Sequence, residues 1–243
     1  MNRTKIEYCD YTWNPVTGCR HGCWYCYGRR IAERFKQKGN AAQCHDCTQP
    51  RNGLHEVRYK GGAWRYGYEP TLYSCRLGEP FRLRKPSVIF VSSMGDLFGE
   101  WVPWEWIRFV QSVVEECPQH TFLFLTKNPS RYAEFPFPDN CWLGMTVDTA
   151  DAAYNRTRLW DMKHPNRFVS LEPLLEDVSN WIDFRGIKVC IIGALTGPQA
   201  RQPEPEWVKA IIDECRAEGV MVFIKDNLRW PEKIQELPWE VRS

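Results

Sequence analysis

The chain has 243 residues, of which 43% are hydrophobic and 26% are charged, and its formal net charge is +2. This length and composition predict one folded domain with a sizeable core, and they exclude a disordered or fibrous protein. The sequence contains neither an apolar run of about 18 residues nor a signal peptide, so we expect a cytoplasmic protein that makes no use of a membrane.

The small net charge hides an uneven distribution along the chain. Residues 1–90 contain 16 Lys and Arg against 7 Asp and Glu, a balance of +9, whereas the remaining residues contain 16 against 23, a balance of −7. A basic first third could bind the phosphate groups of a nucleic acid or a nucleotide. A solvated helix face explains the same charges at least as well.

The first predicted element is a short strand at residues 12–16, which leads into a loop that contains Cys19, Cys23 and Cys26. Three thiolates this close on one loop can converge on a soft metal centre. A closed structural zinc site takes four ligands, and a 4Fe–4S cluster is normally held by four thiolates. Three thiolates would therefore leave one iron of a cluster open to another ligand, and a zinc knuckle is the alternative.

A helix is predicted at residues 29–38, and Gly39 is a suitable residue to end it. Residues 40–86 then lack sustained periodicity and are rich in Gly, Pro and Cys. Loops of this length are uncommon in compact domains unless they are functional or held by a metal. We interpret this stretch as an insertion within a single domain that covers residues 1–243.

A second group of cysteines lies inside that insertion. Cys44 and Cys47 form a C-x2-C pair, and Cys75 follows later. This spacing is typical of half a zinc site or of ligands to an auxiliary cluster, so a second metal could bind here. Free thiols or a redox pair are the alternative. The odd total of 11 cysteines favours metal-bound thiols in a reducing compartment over disulfides.

From residue 86 onward, short apolar segments alternate with amphipathic helical segments. The alternation predicts an α/β fold with parallel strands in right-handed βαβ units, and about seven strands would form a partial (β/α)6-7 TIM-like barrel. The predicted strands are residues 88–92, 121–126, 141–147, 167–171, 188–192 and 220–224, and the predicted helices are residues 102–117, 151–162 and 206–218, with short turns near residues 130 and 181.

Polar residues follow six of the predicted strands. In parallel α/β folds, ligands bind outside the carboxyl ends of the strands. Helix caps would explain one or two of these polar ends, but six on one face predict the lining of a pocket. The candidate binding residues at these ends are Ser93, Asp96, Lys127, Glu172 and Gly193.

The pattern C-x3-C-x-Tyr-C at residues 19–26 resembles the signature of the radical S-adenosylmethionine superfamily. The resemblance implies a 4Fe–4S cluster on Cys19, Cys23 and Cys26, with S-adenosylmethionine chelating the remaining iron and Tyr25 against its adenine. It also implies reductive cleavage of S-adenosylmethionine to a 5′-deoxyadenosyl radical, which abstracts hydrogen from a substrate. An electron donor would then be a partner.

Nearly the whole chain, except residues 40–70, resembles one uncharacterised radical-SAM-like family whose members are often described as phage proteins. Two departures from this family stand out. The gap between the first two cysteines is shorter here, and residues 193–197 read Gly-Ala-Leu-Thr-Gly where the family tends to read Gly-Gly-Glu-Ser-Gly. The segments that carry the resemblance are residues 12–19, 93–98, 125–127, 142–144, 172–175 and 223–225.

The charges of three candidates suggest individual roles toward S-adenosylmethionine. We expect Asp96 to accept from the methionyl ammonium, Lys127 to pair with the carboxylate and Glu172 to bind ribose hydroxyls. A buried ion pair between Asp96 and a neighbouring lysine is the structural alternative. Ser93 and Gly193 complete the predicted cofactor-binding set, and no residue is predicted to act on the substrate.

The substrate is unknown, with a slight preference for a nucleic-acid component. Aromatic side chains interleaved with arginines can stack on bases, but packing of the insertion onto the barrel is the favoured explanation for them. These residues are Tyr27, Trp64, Arg65, Tyr66, Tyr68, Tyr73 and Arg76.

Two rival functions use the same cysteines without radical chemistry. The first is a zinc- or cluster-stabilised nucleic-acid-binding protein that catalyses nothing. The second is an electron-transfer protein whose cluster has a fourth thiolate, from Cys9, Cys44 or Cys75.

Overall fold

A computed structural model describes residues 1–36, 55–57, 64, 66–158 and 163–241 of the chain. These residues form a mixed α/β fold with a mostly parallel central sheet of eight strands. In spatial order, the strands are β1 (Asn2–Arg3), β2 (Tyr11–Trp13), β6 (Val88–Val91), β7 (Thr121–Thr126), β8 (Cys141–Thr146), β9 (Arg167–Leu171), β10 (Val189–Ile192) and β11 (Met221–Ile224). A smaller sheet contains β3 (Val16–Thr17), β5 (Thr71–Tyr73) and β4 (His55–Val57).

Four helices accompany the strands. In α2, Ile107, Val110 and Val114 are buried at spacings of three and four residues, so the helix packs one apolar stripe on the core. α4 ends shortly before Gly219, whose φ of +68° is suited to a residue that follows a helix. The helices are α1 (Tyr27–Phe35), α2 (Trp104–Glu115), α3 (Ala150–Arg158) and α4 (Pro205–Ala217).

The chain divides into two compact units inside β7, Met1–Phe122 and Leu123–Ser243, and each has its own core. In the first unit, all four residues of β6 are buried, and Trp13 packs against Phe122 with ring centroids 6.0 Å apart. In the second unit, all six residues of β8 are buried. Strands that are covered on both faces read as continuous apolar runs, which explains the lack of polar alternation in β6 and β8.

The sheet remains open in the described part of the chain. β1 and β11 each have one neighbour in the sheet, and β1 pairs antiparallel with β2. The pairs β2–β6, β8–β9, β9–β10 and β10–β11 are parallel. The predicted α/β fold with a parallel sheet is therefore confirmed, while a closed barrel is not formed. No helix within the described ranges is long and apolar enough to span a bilayer.

Most predicted elements lie within a few residues of the observed ones. β7 and β9 have the predicted bounds, whereas the single strand predicted at residues 12–16 is wrong. That segment forms β2 in the large sheet and β3 in the small one, because the chain changes sheets at Pro15. Proline has no N–H for a ladder, but the Pro15 carbonyl accepts from the Tyr73 N–H at 2.7 Å.

The first helix and the predicted insertion are described only in part. α1 begins at Tyr27, earlier than predicted, and ends at Phe35, while Lys38 and Gly39 lie outside the described residues. Within residues 40–86, the structure adds β4, β5 and 3-10 turns at Ser74–Arg76 and Pro80–Arg82.

Candidate functional site

Two glycines fix the start of the cysteine loop. The Gly18 N–H donates to the Met94 carbonyl at 2.9 Å, and Gly18 forms an isolated parallel bridge with Gly95. Gly18 has a φ of +86°, and a Cβ there would overlap the Glu69 carbonyl. A Cβ on Gly95 would lie 2.8 Å from the Gly18 carbonyl oxygen. Only glycine allows this close approach of the two backbones, which places Cys19 beside the segment that follows β6.

Asn14 connects the end of β2 to the predicted binding residue Ser93. The Asn14 Oδ1 atom accepts from the Ser93 hydroxyl at 3.2 Å and from the Met94 N–H at 3.0 Å. The Ser93 carbonyl accepts from the Tyr27 hydroxyl at 2.9 Å. Ser93 is therefore held between β2 and the first residue of α1, and Asn14 is a site residue that sequence reasoning did not assign.

Ser92 has an unusual backbone at the carboxyl end of β6. Its φ is +54°, a left-handed conformation that costs a non-glycine residue about 1–2 kcal/mol. Ser92 is buried, and its hydroxyl has no hydrogen-bond partner among the described residues. Strained and unsatisfied groups of this kind concentrate at functional sites. The sequence showed only that a polar residue ends the strand.

The three predicted ligands on the loop are partly exposed and not disulfide-bonded. Backbone contacts fix Cys19: its N–H donates to the Tyr68 carbonyl at 3.2 Å, and its carbonyl accepts from the Arg29 guanidinium at 3.1 Å. Burial raises the pKa of the Cys19 thiol to about 12, and the nearby Asp96 carboxylate contributes to the rise. A thiol in this environment stays protonated and neutral unless a cation compensates the charge of its thiolate.

Cys26 caps the amino terminus of α1. Its Sγ accepts from the Arg29 N–H at 3.3 Å, and a helix N-terminus favours negative charge on such a sulfur. The Cys26 thiol also lies 3.5 Å from the Tyr68 hydroxyl, to which it donates. Burial raises the pKa of Tyr68 well above its ordinary value, and Cys26 adds to this rise. A Cβ on Gly28 would lie 2.6 Å from the Tyr68 hydroxyl, so the absence of a side chain there permits this contact.

His21 and Asp96 form a pair inside the same unit. The His21 Nε2 lies 2.7 Å from Oδ2 of Asp96, while Oδ1 of Asp96 accepts from the Phe98 N–H at 3.0 Å. Asp96 is buried, and the His21 ring packs edge-on against Trp101 with centroids 4.8 Å apart. Asp96 is thus paired with a histidine that lies between Cys19 and Cys23 in the sequence. Sequence reasoning missed His21, although its position inside the cysteine loop was a signal.

Zinc sites and iron–sulfur clusters place different geometric demands on thiol ligands. No group of three or more His, Cys, Asp or Glu side chains that could hold a metal ion occurs within the described ranges. Ligands of one zinc ion converge on a common point at Zn–S distances of about 2.3 Å. In a 4Fe–4S cluster each thiolate binds a different iron, so the sulfurs lie farther apart.

Two of the remaining candidate ligands, Cys9 and Cys75, belong to segments that lead away from the loop. Cys9 is buried and precedes β2 in the sequence. It therefore lies near the amino end of β2, whereas the cysteine loop comes after the carboxyl end of that strand. Cys75 lies in the turn after β5. Because β5 runs antiparallel to β3, its carboxyl end lies away from Gly18, which follows β3. Cys44 and Cys47 lie outside the described residues.

Of the aromatic residues near the loop, two are buried in the core and the others are partly or largely exposed. Tyr25 is half-buried and packs edge-on against Trp24, with centroids 5.5 Å apart. Tyr68 and Tyr73 are buried, and the Arg76 guanidinium lies 3.9 Å from the centre of the Tyr73 ring. Base stacking is therefore the wrong interpretation for Tyr68 and Tyr73, because core packing covers them. Tyr27 is exposed, Trp64 and Tyr66 are half-buried, and Arg65 lies outside the described residues.

In the second unit, the predicted residue Lys127 already has an acidic partner. Its Nζ donates to Oδ2 of Asp148 at 2.8 Å, and their side chains are only 13% and 12% exposed. Lys127 follows β7 and Asp148 follows β8, so the pair joins two neighbouring strand ends. A ligand carboxylate would have to share Lys127 with Asp148.

Glu172 and Lys225 form a second ion pair at the ends of β9 and β11. The Lys225 Nζ lies 2.6 Å from Oε1 of Glu172, whose Oε2 accepts from the Ser170 hydroxyl at 3.1 Å. In the register of the sheet, Gly193 of the intervening strand lies level with both residues. A Cβ on Gly193 would lie 2.9 Å from Cγ of Glu172. Gly193 thus allows the ion pair to cross over β10.

Asn227 fixes the backbone that follows Gly193. Its side-chain amide accepts from the Ala194 N–H and donates to the Ala194 carbonyl, both at 3.2 Å. Leu195 occupies the place where the resembling family tends to have glutamate, and it is buried. Sequence reasoning placed Asp148, Lys225 and Asn227 at strand ends but assigned them no role, because their partners are distant in sequence.

Comparisons with known proteins gave one result. The model of the family described as "Protein of unknown function (DUF5131)" matches residues 3–237. No curated protein and no solved structure matches the chain.

Proposed function

The chain belongs to this family of unknown function, and we propose that it is a radical S-adenosylmethionine enzyme with a 4Fe–4S cluster on Cys19, Cys23 and Cys26. The observation that carries the proposal is the fixed loop. Three thiols without disulfide bonds follow β2 and the short β3, and Gly18 and Gly95 lock this loop to the segment that follows β6. Ligand sites of parallel α/β folds lie at such strand ends.

A cluster held by Cys19, Cys23 and Cys26 would supply the one electron for reductive cleavage of S-adenosylmethionine to methionine and a 5′-deoxyadenosyl radical. The radical would take hydrogen from the substrate. The chain itself positions the groups. The Arg29 N–H holds the Cys26 sulfur, and Asn14 holds Ser93. Asp96, which pairs with His21, is the proposed acceptor for the methionyl ammonium. Tyr25 is the proposed support for the adenine.

We extend the proposal to the strand ends of the second unit. Lys127, Glu172 and Gly193 are proposed cofactor-binding residues, and the fold is proposed to be a partial (β/α)6-7 barrel. In this interpretation the pairs Lys127–Asp148 and Glu172–Lys225 keep their charged groups in place before a ligand arrives. Prior pairing lowers the cost of ordering these long side chains on binding.

The proposed cellular location and partners follow from the three loop thiols and the cluster proposed on them. Cluster ligands stay reduced in the cytosol, so the proposed location is the cytoplasm. A one-electron donor is a required partner, and a nucleic-acid component is the proposed substrate class. Cys44, Cys47 and Cys75 remain proposed ligands of a second cluster or a zinc ion.

Anaerobic reconstitution with iron and sulfide tests the proposal. The wild type should bind about four iron atoms at the loop and produce 5′-deoxyadenosine from S-adenosylmethionine with dithionite. Cys19→Ala, Cys23→Ala and Cys26→Ala should each abolish this product. Cys117→Ala, at a buried cysteine of the same unit, is the matched control and should keep it.

Two outcomes would contradict the proposal. Stoichiometric zinc in place of iron would favour the nucleic-acid-binding protein without catalysis. Loss of iron from the loop in Cys75→Ala or Cys44→Ala would indicate a fourth thiolate and favour the electron-transfer protein.

A further inference from the structure

An apolar stripe lies exposed along α1. It consists of Trp24, in the loop just before the helix, and of Tyr27, Ile31 and Phe35 on the helix, which are 59%, 48%, 38% and 59% exposed. The last three residues are spaced by four, so they lie above one another on one side of the helix. We call these four residues the α1 stripe. An exposed apolar set that continues over several turns of helix is typical of an interaction surface.

The neighbours of the stripe on the helix are of two kinds. At about 100° per residue, Tyr27, Ile31 and Phe35 cover about 80° of the helix circumference. One border of this arc is formed by Gly28 and Ala32, which are buried against the protein. The other border is formed by Arg30 and Arg34, which are exposed. The single acidic residue of α1, Glu33, lies farther around the helix, so the open border of the stripe is cationic.

The stripe is continuous with the cysteine loop and is held in place. Trp24 lies between Cys23 and Cys26, and Cys26 caps the helix that carries the other three residues. The Tyr27 hydroxyl donates to the Ser93 carbonyl, which anchors the first turn of α1. A partner on this surface would therefore approach the loop that is proposed to hold the cluster.

We propose that the α1 stripe, with Arg30 and Arg34, is the docking surface for an acidic one-electron donor protein. The inference rests on the proposed function, because only a cluster on the loop needs such a donor. Electron transfer slows steeply with distance, so the donor must dock close to Cys19, Cys23 and Cys26. A small apolar centre with a charged rim is the form of weak redox encounters, and an acidic partner complements the two arginines.

The central position of Ile31 favours a protein over single-stranded nucleic acid. Bases bind by stacking on aromatic rings, which an aliphatic side chain in the middle of the surface would interrupt. A protein partner can pack apolar side chains against all four residues of the stripe. Nucleic-acid binding is therefore an outcome that the test must separate from donor docking.

The test compares two reductants of the reconstituted protein under anaerobic conditions. Dithionite is small and needs no docking surface, whereas flavodoxin, reduced through its NADPH-dependent reductase, is an acidic protein probe. Stopped-flow absorbance gives the rate of cluster reduction by each. The variants are Arg30→Glu/Arg34→Glu and Ile31→Ser, and circular dichroism checks that both are folded.

Matched controls lie elsewhere on the same unit. Arg82→Glu/Arg84→Glu reverses two exposed arginines, and Phe81→Ser removes an aromatic ring that is 49% exposed. Reversal of Arg30 and Arg34 should slow reduction by flavodoxin about tenfold at low salt, and added salt should narrow the difference. Ile31→Ser should slow it severalfold at every salt concentration. Dithionite should reduce all variants at the wild-type rate.

Equal rates with flavodoxin for the α1 variants and the controls would overturn the docking proposal. It would also be overturned if the variants lost affinity for a dT20 oligonucleotide while their reduction by flavodoxin was unchanged. A protein without a cluster that dithionite can reduce would instead contradict the proposed function itself. The two failures are thus distinguishable.

Discussion

The cysteine loop and the strand ends of the second unit satisfy their polar groups in opposite ways. In the second unit, Lys127–Asp148 and Glu172–Lys225 are closed ion pairs, so each charge already has its partner. The cysteine loop instead combines a backbone that glycines fix with thiols that carry no disulfide. The strand ends of the second unit are thus stabilised by pairs of side chains, whereas the loop is fixed by its backbone, which supports the proposal that its thiols bind a cluster.

The largest expected effect comes from removing the close approach at Gly18. Gly18→Ala adds a left-handed alanine and a methyl group that overlaps the Glu69 carbonyl, so we expect a loss of more than about 3 kcal/mol of unfolding free energy. Iron binding by the loop should fall with it. Urea denaturation and iron analysis measure the two effects.

Gly22→Ala is the matched control for that change. Gly22 also has a positive φ, of +73°, but a Cβ there would meet nothing within 4 Å. It should therefore cost only about 1 kcal/mol and leave the cluster in place. Equal losses in the two variants would show that the contact with Glu69 does not fix the loop.

An intermediate effect is expected from the ion pair that crosses Gly193. Glu172→Gln or Lys225→Met leaves one largely buried charge without its partner, and each should cost about 2 kcal/mol. The double variant removes both charges and should cost less than the sum of the two single variants. Urea denaturation of all four proteins gives the coupling. Strictly additive losses would mean that the pair does not stabilise the second unit.

The smallest effect concerns an ion pair at the surface of the second unit. The Arg216 guanidinium donates two hydrogen bonds of 2.7 Å to Glu236 and lowers the pKa of that carboxyl below its ordinary value of 4.5. The folded state therefore gains stability from this pair above about pH 4.5 and loses it as the pH falls through the lowered pKa. Both side chains are more than 40% exposed, so the gain should be below about 1 kcal/mol.

Arg216→Met tests this sign. The variant should be less stable than the wild type at pH 7. Between pH 4.5 and pH 3, its stability should fall by less than that of the wild type. Thermal denaturation across this pH range measures the difference, with Lys209→Met as a control at the exposed pair Lys209–Asp213. If the stability of Arg216→Met changed with pH in parallel with that of the wild type, the acid-dependent loss could not be assigned to the Arg216–Glu236 pair.

The sequence predicted the features that depend on neighbouring residues. The strands β7 and β9 were predicted to the residue because each is a short apolar run, and the three loop cysteines are recognisable from their spacing. The split of residues 12–16 between two sheets was missed because β3 pairs with a strand more than 50 residues away.

The contacts that define the sites depend on pairs of residues that are far apart in sequence. His21 and Asp96 are 75 residues apart, and Glu172 meets Lys225 only because β10 inserts a glycine between them. The local sequence pattern does not specify which charged residues at different strand ends will form a pair. The exposure of the α1 stripe was equally hidden, because spacings of four predict a buried face as readily as an exposed one.

The most direct test of the central claim is electron paramagnetic resonance of the reconstituted, dithionite-reduced protein with and without S-adenosylmethionine. If Cys19, Cys23 and Cys26 hold a 4Fe–4S cluster with one open iron, the cofactor should bind that iron and change the signal of the reduced cluster. A cluster signal that S-adenosylmethionine leaves unchanged would contradict the account, because it would show that no iron is open to the cofactor.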